Sequence, residues 1–315
     1  MEGNISNIQN QEISAEEFVF VEDGANKKQA INRPSISYWK DSWRKLKKSK
    51  LAVAGLIFII IITLCAVIVP MMSSHNYKTN NLMVTNQGPS LTYLCGTDHL
   101  GRDLFIRIMY GARYSLIIAF VASFLNLVIG IVYGGIAGLC GGWVDNLMMR
   151  VIDIISSIPM QIYVILLMVA LGKGGLFNII VAMAISFWMG MARIVRAEIL
   201  QLKQQEFILA ARTLGAGQRR ILLKHLIPNC IGPIIVTLTL QIPQAIFTEA
   251  FLSFIGLGLT PPLASWGTLA NEAIDKLTLY PYQLFFPIVA ICLTIFSFNM
   301  LGDGLRDALD PKIKK

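Results

Sequence analysis

Leu51–Met72 reads LAVAGLIFIIIITLCAVIVPMM, an uninterrupted apolar run without one charged side chain. A helix needs about 20 apolar residues to cross a ~30 Å hydrocarbon core, so this run is long enough to span a membrane. Working outward, five more stretches qualify: about Tyr114–Leu139, Leu147–Leu171, Leu176–Ile194, Ile231–Phe251 and Phe286–Leu301. The sixth is short. The third carries Arg150 and Asp153 near one end, three residues apart and so expected to pair with each other on a helix. A proton relay would need more intramembrane carboxylates than this. The fold class is therefore an all-α integral membrane protein with about six transmembrane helices.

Composition agrees. Of 315 residues, 55% are hydrophobic and 15% charged, with mean hydropathy +0.60; soluble domains carry about 25% charged residues. The net charge of +8 sits between the apolar runs rather than in one patch, and no aromatic-basic interleaving marks a nucleic-acid surface. Cys65, Cys95, Cys140, Cys230 and Cys292 include no CxxC pair, so neither a disulfide framework nor a zinc site is expected; they read as small apolar residues. His75, His99 and His225 lie far apart, and no metal cluster is expected. No signal peptide is visible, because the first apolar run starts at Leu51, is long enough to span and lacks a cleavage pattern.

Residues 1–50 read as a cytoplasmic tail followed by an interfacial helix, and 51–315 as the transmembrane domain. Met1–Arg33 is polar and mixed in charge. Ile36, Trp39, Trp43 and Leu46 then recur at helical spacing among Lys40, Arg44, Lys45, Lys47, Lys48 and Lys50, the pattern of a helix lying in a membrane interface.

The distribution of basic residues sets the orientation. With the N-terminus inside, the cytoplasmic side receives Arg150, Arg193, Arg196, Lys203, Arg212, Arg219, Arg220, Lys224, Arg306, Lys312, Lys314 and Lys315. The outside keeps Lys78, Arg102, Arg107, Arg113, Lys173 and Lys276. Both termini are expected to be cytoplasmic. Gly130, Gly134 and Gly138 share one helical face of the second span and allow close approach of a neighbour, in this chain or in a partner. Two outside segments are long. Ser73–Arg113 carries Leu104, Phe105, Ile108 and Met109 as an amphipathic stripe, with Asp98 as candidate N-cap, and reads as a helix resting on the outer surface or on the other helices. Ser253–Tyr282, with Gly256, Gly258, Pro261 and Pro262, reads as a structured loop over the extracellular mouth.

Between the fourth and fifth spans the chain reads Glu206-Phe207-Ile208-Leu209-Ala210-Ala211-Arg212-Thr213-Leu214-Gly215-Ala216-Gly217, then Gln218–Leu226 and Pro228. Ala210 and Ala211 favour helix, and Gly215 suits the left-handed residue that ends one. A second short helix over Gln218–Leu226 is expected to stop before Pro228. The product is a cytoplasmic helix–turn–helix with a small knob able to seat in a groove on another protein.

This segment, about 198–228 with its flanks, resembles the coupling loop (the EAA loop) of ABC importer permeases. Ala210, Ala211 and Gly215 fall at the pattern's spacing, and Pro228 follows thirteen residues after the glycine; Leu209, His225 and Ile227 depart from it in the manner of the peptide-transport branch. Gly96–Leu116, GTDHLGRDLFIRIMYGARYSL, resembles the outer-loop signature of the oligopeptide/dipeptide/nickel permease family. Glu249–Pro311, from EAFLSFIGLGLTPP through SWG to FNMLGDGLRDALDP, resembles its C-terminal end, and SYWKDSWRKLKKSKLAVAGL its C-type member. The resemblance implies a permease subunit paired with a second, homologous one, two ATPase subunits below, and an extracellular solute-binding protein delivering peptide. Glu206, Ala210, Ala211, Gly215 and Pro228 would couple to the ATPases. This chain has no GxxxxGK[ST] loop, since Gly172-Lys173-Gly174 lacks the spacing and the hydroxyl; ATP and Mg²⁺ would bind the partner ATPases, and no cofactor is expected here.

Glu249 falls toward the outer end of the fifth span. Intramembrane carboxylates are functional candidates, so it is a candidate for the translocation path; a structural hydrogen bond is the weightier reading. Alternatives are a permease for nickel or another small solute, a secondary transporter, which would need several midplane charges and inverted repeats, and a membrane scaffold.

Overall fold

The computed structural model describes residues 38–73, 77–172 and 174–310. The expectations for Met1–Arg33, Ile36, His75, Lys173, Lys312, Lys314 and Lys315 lie outside the described residues. Among those described, five helices are long and apolar enough to cross a membrane, six if one bent pair counts as a single span.

The amphipathic helix α1 (Tyr38–Lys48) leads through Ser49 into α2 (Lys50–Met72). The Ser49 hydroxyl accepts from the Ala52 amide and opens the first span. The expected outer amphipathic helix is not separate. It is the first three turns of α3 (Leu104–Cys140), one continuous helix of 37 residues. No proline interrupts 104–140, so the stripe and the span propagate as one rod about 55 Å long. Its N-cap is Asp103, whose carboxylate accepts from the amides of Phe105 and Ile106, and not Asp98.

The third span breaks. α4 (Gly142–Ser156) and α5 (Met160–Ala170) meet at 84°. Pro159 lies at the break; it lacks an N–H and biases Ile158 away from the helical region. Asp153 does not pair with Arg150. It takes Arg193 of α6 (Leu176–Leu202) at 3.0 Å, while Asp145 receives Arg196 of α6 in a two-pronged pair at 2.5 and 2.6 Å. The glycine face of α3 finds its neighbour within this chain. A β-carbon at Gly134 would collide with the Ala192 carbonyl, and one at Gly138 would lie 2.9 Å from Ile199; α3 and α6 therefore pack almost backbone to backbone.

After α6 come α7 (Glu206–Thr213), α8 (Gln218–Ile221), a π-turn over Leu222–Leu226, α9 (Ile227–Asn229) and the fifth span α10 (Ile231–Leu252). The segment expected to be one loop over 253–282 holds a π-turn, Ser253–Leu257, with Gly256 at φ 87°, and a short helix α11 (Trp266–Ala273) opened by a Ser265/Thr268 capping box. The sixth span is not short: α12 runs Tyr282–Leu309, because its polar ends Tyr282-Gln283 and Gly302–Leu309 continue the helix beyond the apolar stretch. The buried core joins Ile118 and Ala122 of α3, Met183 and Phe187 of α6, Ile246 of α10 and Trp266 of α11.

Candidate functional site

Two regions at opposite ends of the bundle carry more chemistry than packing requires. The first is the protrusion after α6. Ile208, fully buried, anchors α7 to the hydrophobic cluster that also holds Val195, Ile199, Ile221 and Leu226. Glu206, Ala210 and Gly215 stay exposed and Ala211 is half-buried. α7 ends in a Schellman motif: the Ala216 amide donates to Ala211 O at 3.0 Å, the Gly215 amide to Arg212 O at 2.9 Å, and Gly215 sits at φ 80°. Phe207, Leu209 and Leu214 remain exposed, Leu214 at 87%, beside Arg212, Arg219 and Arg220. Exposed apolar side chains rimmed by charge mark contact surfaces.

The other arm of the protrusion corrects an expectation. Pro228 does not stop a second short helix. The chain stays helical from Gln218 through Asn229, one turn residue, Cys230, leads into α10, and the wide π-turn covers Lys224, whose carbonyl the Pro228 ring would otherwise strike. The arm is thus the root of the fifth span. Glu206, Ala210, Ala211 and Gly215 share the tip, and Pro228 lies at the base.

Glu249 lies 21 residues beyond Pro228, about 30 Å along a helix, and does not join them. It is fully buried. The Ser115 hydroxyl of α3 donates to Oε2 at 2.8 Å and the Ser253 hydroxyl to Oε1 at 2.8 Å. Ser115 Oγ also accepts from the Trp266 amide at 3.3 Å, and Ser265 donates to Ser253 at 3.3 Å. One carboxylate therefore ties α3, α10 and the start of α11 together. Ser253 was legible as Glu249's i+4 neighbour; nothing in the sequence pointed to Ser115 or Ser265.

Beside this tie lies an ion-pair cluster that sequence reasoning missed. Arg107 donates to Asp98 at 2.7 Å and to both Glu272 oxygens at 2.7 and 3.0 Å; Arg102 donates to Asp98 at 2.6 Å and Glu272 at 3.0 Å. Burial alone would raise both carboxyls, but Arg107 and Arg102 outweigh it and hold Asp98 and Glu272 below their ordinary values. Donor atoms of Asp98, His99 and Glu272 fall within 4.8 Å of one another. Those carboxylate oxygens already receive two guanidiniums, so the charge a cation would supply is in place. The cluster works as a clamp, fixing the 77–103 segment to α11.

Residues 130–315 match the family described as binding-protein-dependent transport system inner membrane component, and residues 37–89 match the N-terminal TM domain of oligopeptide transport permease C. The chain is 53% identical to the oligopeptide transport system permease protein OppC of Bacillus subtilis, over 90% of this chain and 93% of that protein. It is 47% identical to the dipeptide transport system permease protein DppC of the same organism, over 98% and 96%. It is 41% identical to the glutathione transport system permease protein GsiD of Escherichia coli, over 88% and 91%. Among solved structures, an inward-facing form of the MetNI methionine ABC transporter aligns with a TM-score of 0.55 at 20% identity, over 66% of this chain and 96% of that one. At that identity the likeness concerns the fold.

Proposed function

The chain belongs to the family of binding-protein-dependent transport system inner membrane components, and from that premise we propose that it is the C-type permease subunit of an ATP-driven importer of peptides. It is a multi-pass protein of the cell membrane. Relatives named for oligopeptides, dipeptides and glutathione, a tripeptide, support peptide as the cargo. In this reading both termini and the protrusion after α6 face the cytoplasm, with the basic residues around it, and the clamp end faces outward. A second, homologous permease completes the pathway, two ATPase subunits bind ATP and Mg²⁺ below, and an extracellular solute-binding protein delivers the peptide.

The observation that carries the mechanism is that the helical arm Gln218–Asn229 joins α10 through the single residue Cys230. The tip formed by Glu206, Ala210, Ala211 and Gly215 seats in an ATPase groove. When ATP draws the ATPases together, the tip moves, and its second arm moves α10 because Cys230 alone separates the two. α10 is tied at its far end by Glu249 to α3 and α11, so the displacement reaches the outer mouth. The bundle is then a two-state element biased by nucleotide at one end and delivered peptide at the other.

The test is reconstitution of the permease pair with its ATPases and binding protein in vesicles. Uptake of labelled peptide that requires ATP is expected. Uptake of nickel without peptide would move the cargo to the small-solute alternative, and uptake driven by an ion gradient without ATPases would move the protein to secondary transport.

A further inference from the structure

Helix α1 carries an apolar stripe that runs past the edge of the bundle. At 3.6 residues per turn, Trp39, Trp43 and Leu46 fall within about 60° of one another. Leu46 ends that stripe inside the protein, buried against Ala52 of α2 and Ala308 of α12. Gly304 of α12 leaves the room: a β-carbon there would strike Ala52 and lie 3.3 Å from Leu46. Trp39 and Trp43, earlier on the same stripe, are 51% and 52% exposed. The rest of the helix is basic, with Lys40, Arg44, Lys45, Lys47 and Lys48 against one acid, Asp41. Arg44 takes Asp41 at 2.6 Å and Lys45 at 3.5 Å, while the Lys47 ammonium lies 5.4 Å from the centre of the Trp43 ring.

We propose that α1 is a binding surface for anionic phospholipid, with Trp39 and Trp43 at the acyl-chain boundary and Lys40, Lys47 and Lys48 on the headgroup phosphates. Ser49 alone separates α1 from the first span, which fixes it at the rim of the bilayer. Lipid is therefore what adjoins the exposed half of the two tryptophans, and tryptophan is the side chain suited to that depth. The excess of five bases over one acid selects anionic over zwitterionic headgroups. A functional consequence follows from Leu46. It locks α1 to the end of α12, and α12 packs along α10, so lipid held at α1 steadies the helices that carry the coupling protrusion. That consequence rests on the importer reading; the lipid site does not.

The complex, purified with its partner subunits, is equilibrated in mixed phosphatidylglycerol and phosphatidylcholine, exchanged into mild detergent, and its retained lipid counted by native mass spectrometry. Lys40→Gln/Lys47→Gln/Lys48→Gln is expected to retain at least fivefold less phosphatidylglycerol, because each base near an anionic surface is worth about fivefold, with phosphatidylcholine unchanged. Trp39→Ser/Trp43→Ser keeps every charge and is expected to lose both lipids; it decides the matter should the triple variant fail to fold. Equal retention by wild type and the folded variants overturns the proposal, as does displacement of phosphatidylglycerol by inorganic phosphate, which would mean a free-phosphate site. In vesicles, peptide-stimulated ATP hydrolysis is expected to rise with phosphatidylglycerol for wild type and stay flat for the triple variant. Hydrolysis indifferent to lipid, with retention still different, overturns the link to coupling and keeps the lipid site.

Discussion

Ser115 and Glu249, 134 residues apart, meet at 2.8 Å inside the bundle, and the same serine accepts the backbone amide of Trp266. Three elements thus converge on one carboxylate, and among the described residues no ion pair reaches it. Glu249 reads as a pin between helices. Glu249→Gln keeps one acceptor oxygen and offers an amide to a serine that can turn and accept. It is expected to assemble normally and to lower peptide uptake by less than tenfold, about 1.4 kcal/mol or less. Glu249→Leu removes both partnerships and is expected to reduce the yield of assembled complex. Abolished uptake by a normally assembled Glu249→Gln complex would place the carboxylate in the translocation path.

The clamp of Asp98, Arg102, Arg107 and Glu272 has a defined pH signature. Asp98 and Glu272 are held below their ordinary values. A depressed carboxyl contributes stability that is fully present above its unfolded value and is lost as pH falls through the folded one. Thermal unfolding of the purified complex should therefore be insensitive to these groups from pH 8 to about 5 and weaken below about 4. Glu272→Gln leaves Arg107 with Asp98 alone and is expected to cost roughly 1–3 kcal/mol at pH 7, while removing part of the acid-dependent loss. Wild-type melting of this variant across the range would show that the clamp does not hold the 77–103 segment.

Orientation can be checked at the same end. Cys95 is buried, and burial, with Asp103 nearby, pushes its thiol up to about 11, so it is expected to resist an impermeant maleimide on intact cells. Leu91 is fully exposed on the same segment. Leu91→Cys is expected to label from outside. Labelling of Cys140 from outside, with Leu91→Cys silent, would invert the topology.

Much of this architecture is legible in the sequence because lipid imposes one strong signal, the long apolar run. Leu51–Met72 and Ile231–Phe251 fall almost where α2 and α10 do. Apolarity is a poor guide to helix ends, however: α3 and α12 continue through Arg107 and Asp303, charges that hydropathy reads as boundaries. Pro159 marks the break, but Pro70, Pro243 and Pro287 sit inside α2, α10 and α12, so a proline alone does not identify a stop. The clamp was beyond reach, since Arg107 and Glu272 meet only through tertiary packing. At the protrusion, the local rule for Gly215 worked, because a positive φ is a property of one residue. The rule for Pro228 did not, because a π-turn absorbed it.

Gly215 gives the sharpest test of the coupling proposal. At φ 80° an L-residue is strained, and a β-carbon there would meet no atom within 4 Å, so within this chain any substitution costs on the order of 1 kcal/mol from backbone strain alone. Gly217, at φ −68° and equally open, has no such cost. Gly215→Asp adds strain to the end of α7 and places a carboxylate on the surface offered to the ATPases. The permease pair is expected to remain in the membrane, while ATPase retention, peptide-stimulated hydrolysis and uptake fall together. Gly217→Ala should stay close to wild type in all three. Both variants are to be reconstituted side by side with wild type. If Gly215→Asp couples normally, the tip of α7 is not what the ATPases grip, and transmission must enter through the exposed Leu214 or through the α8 arm.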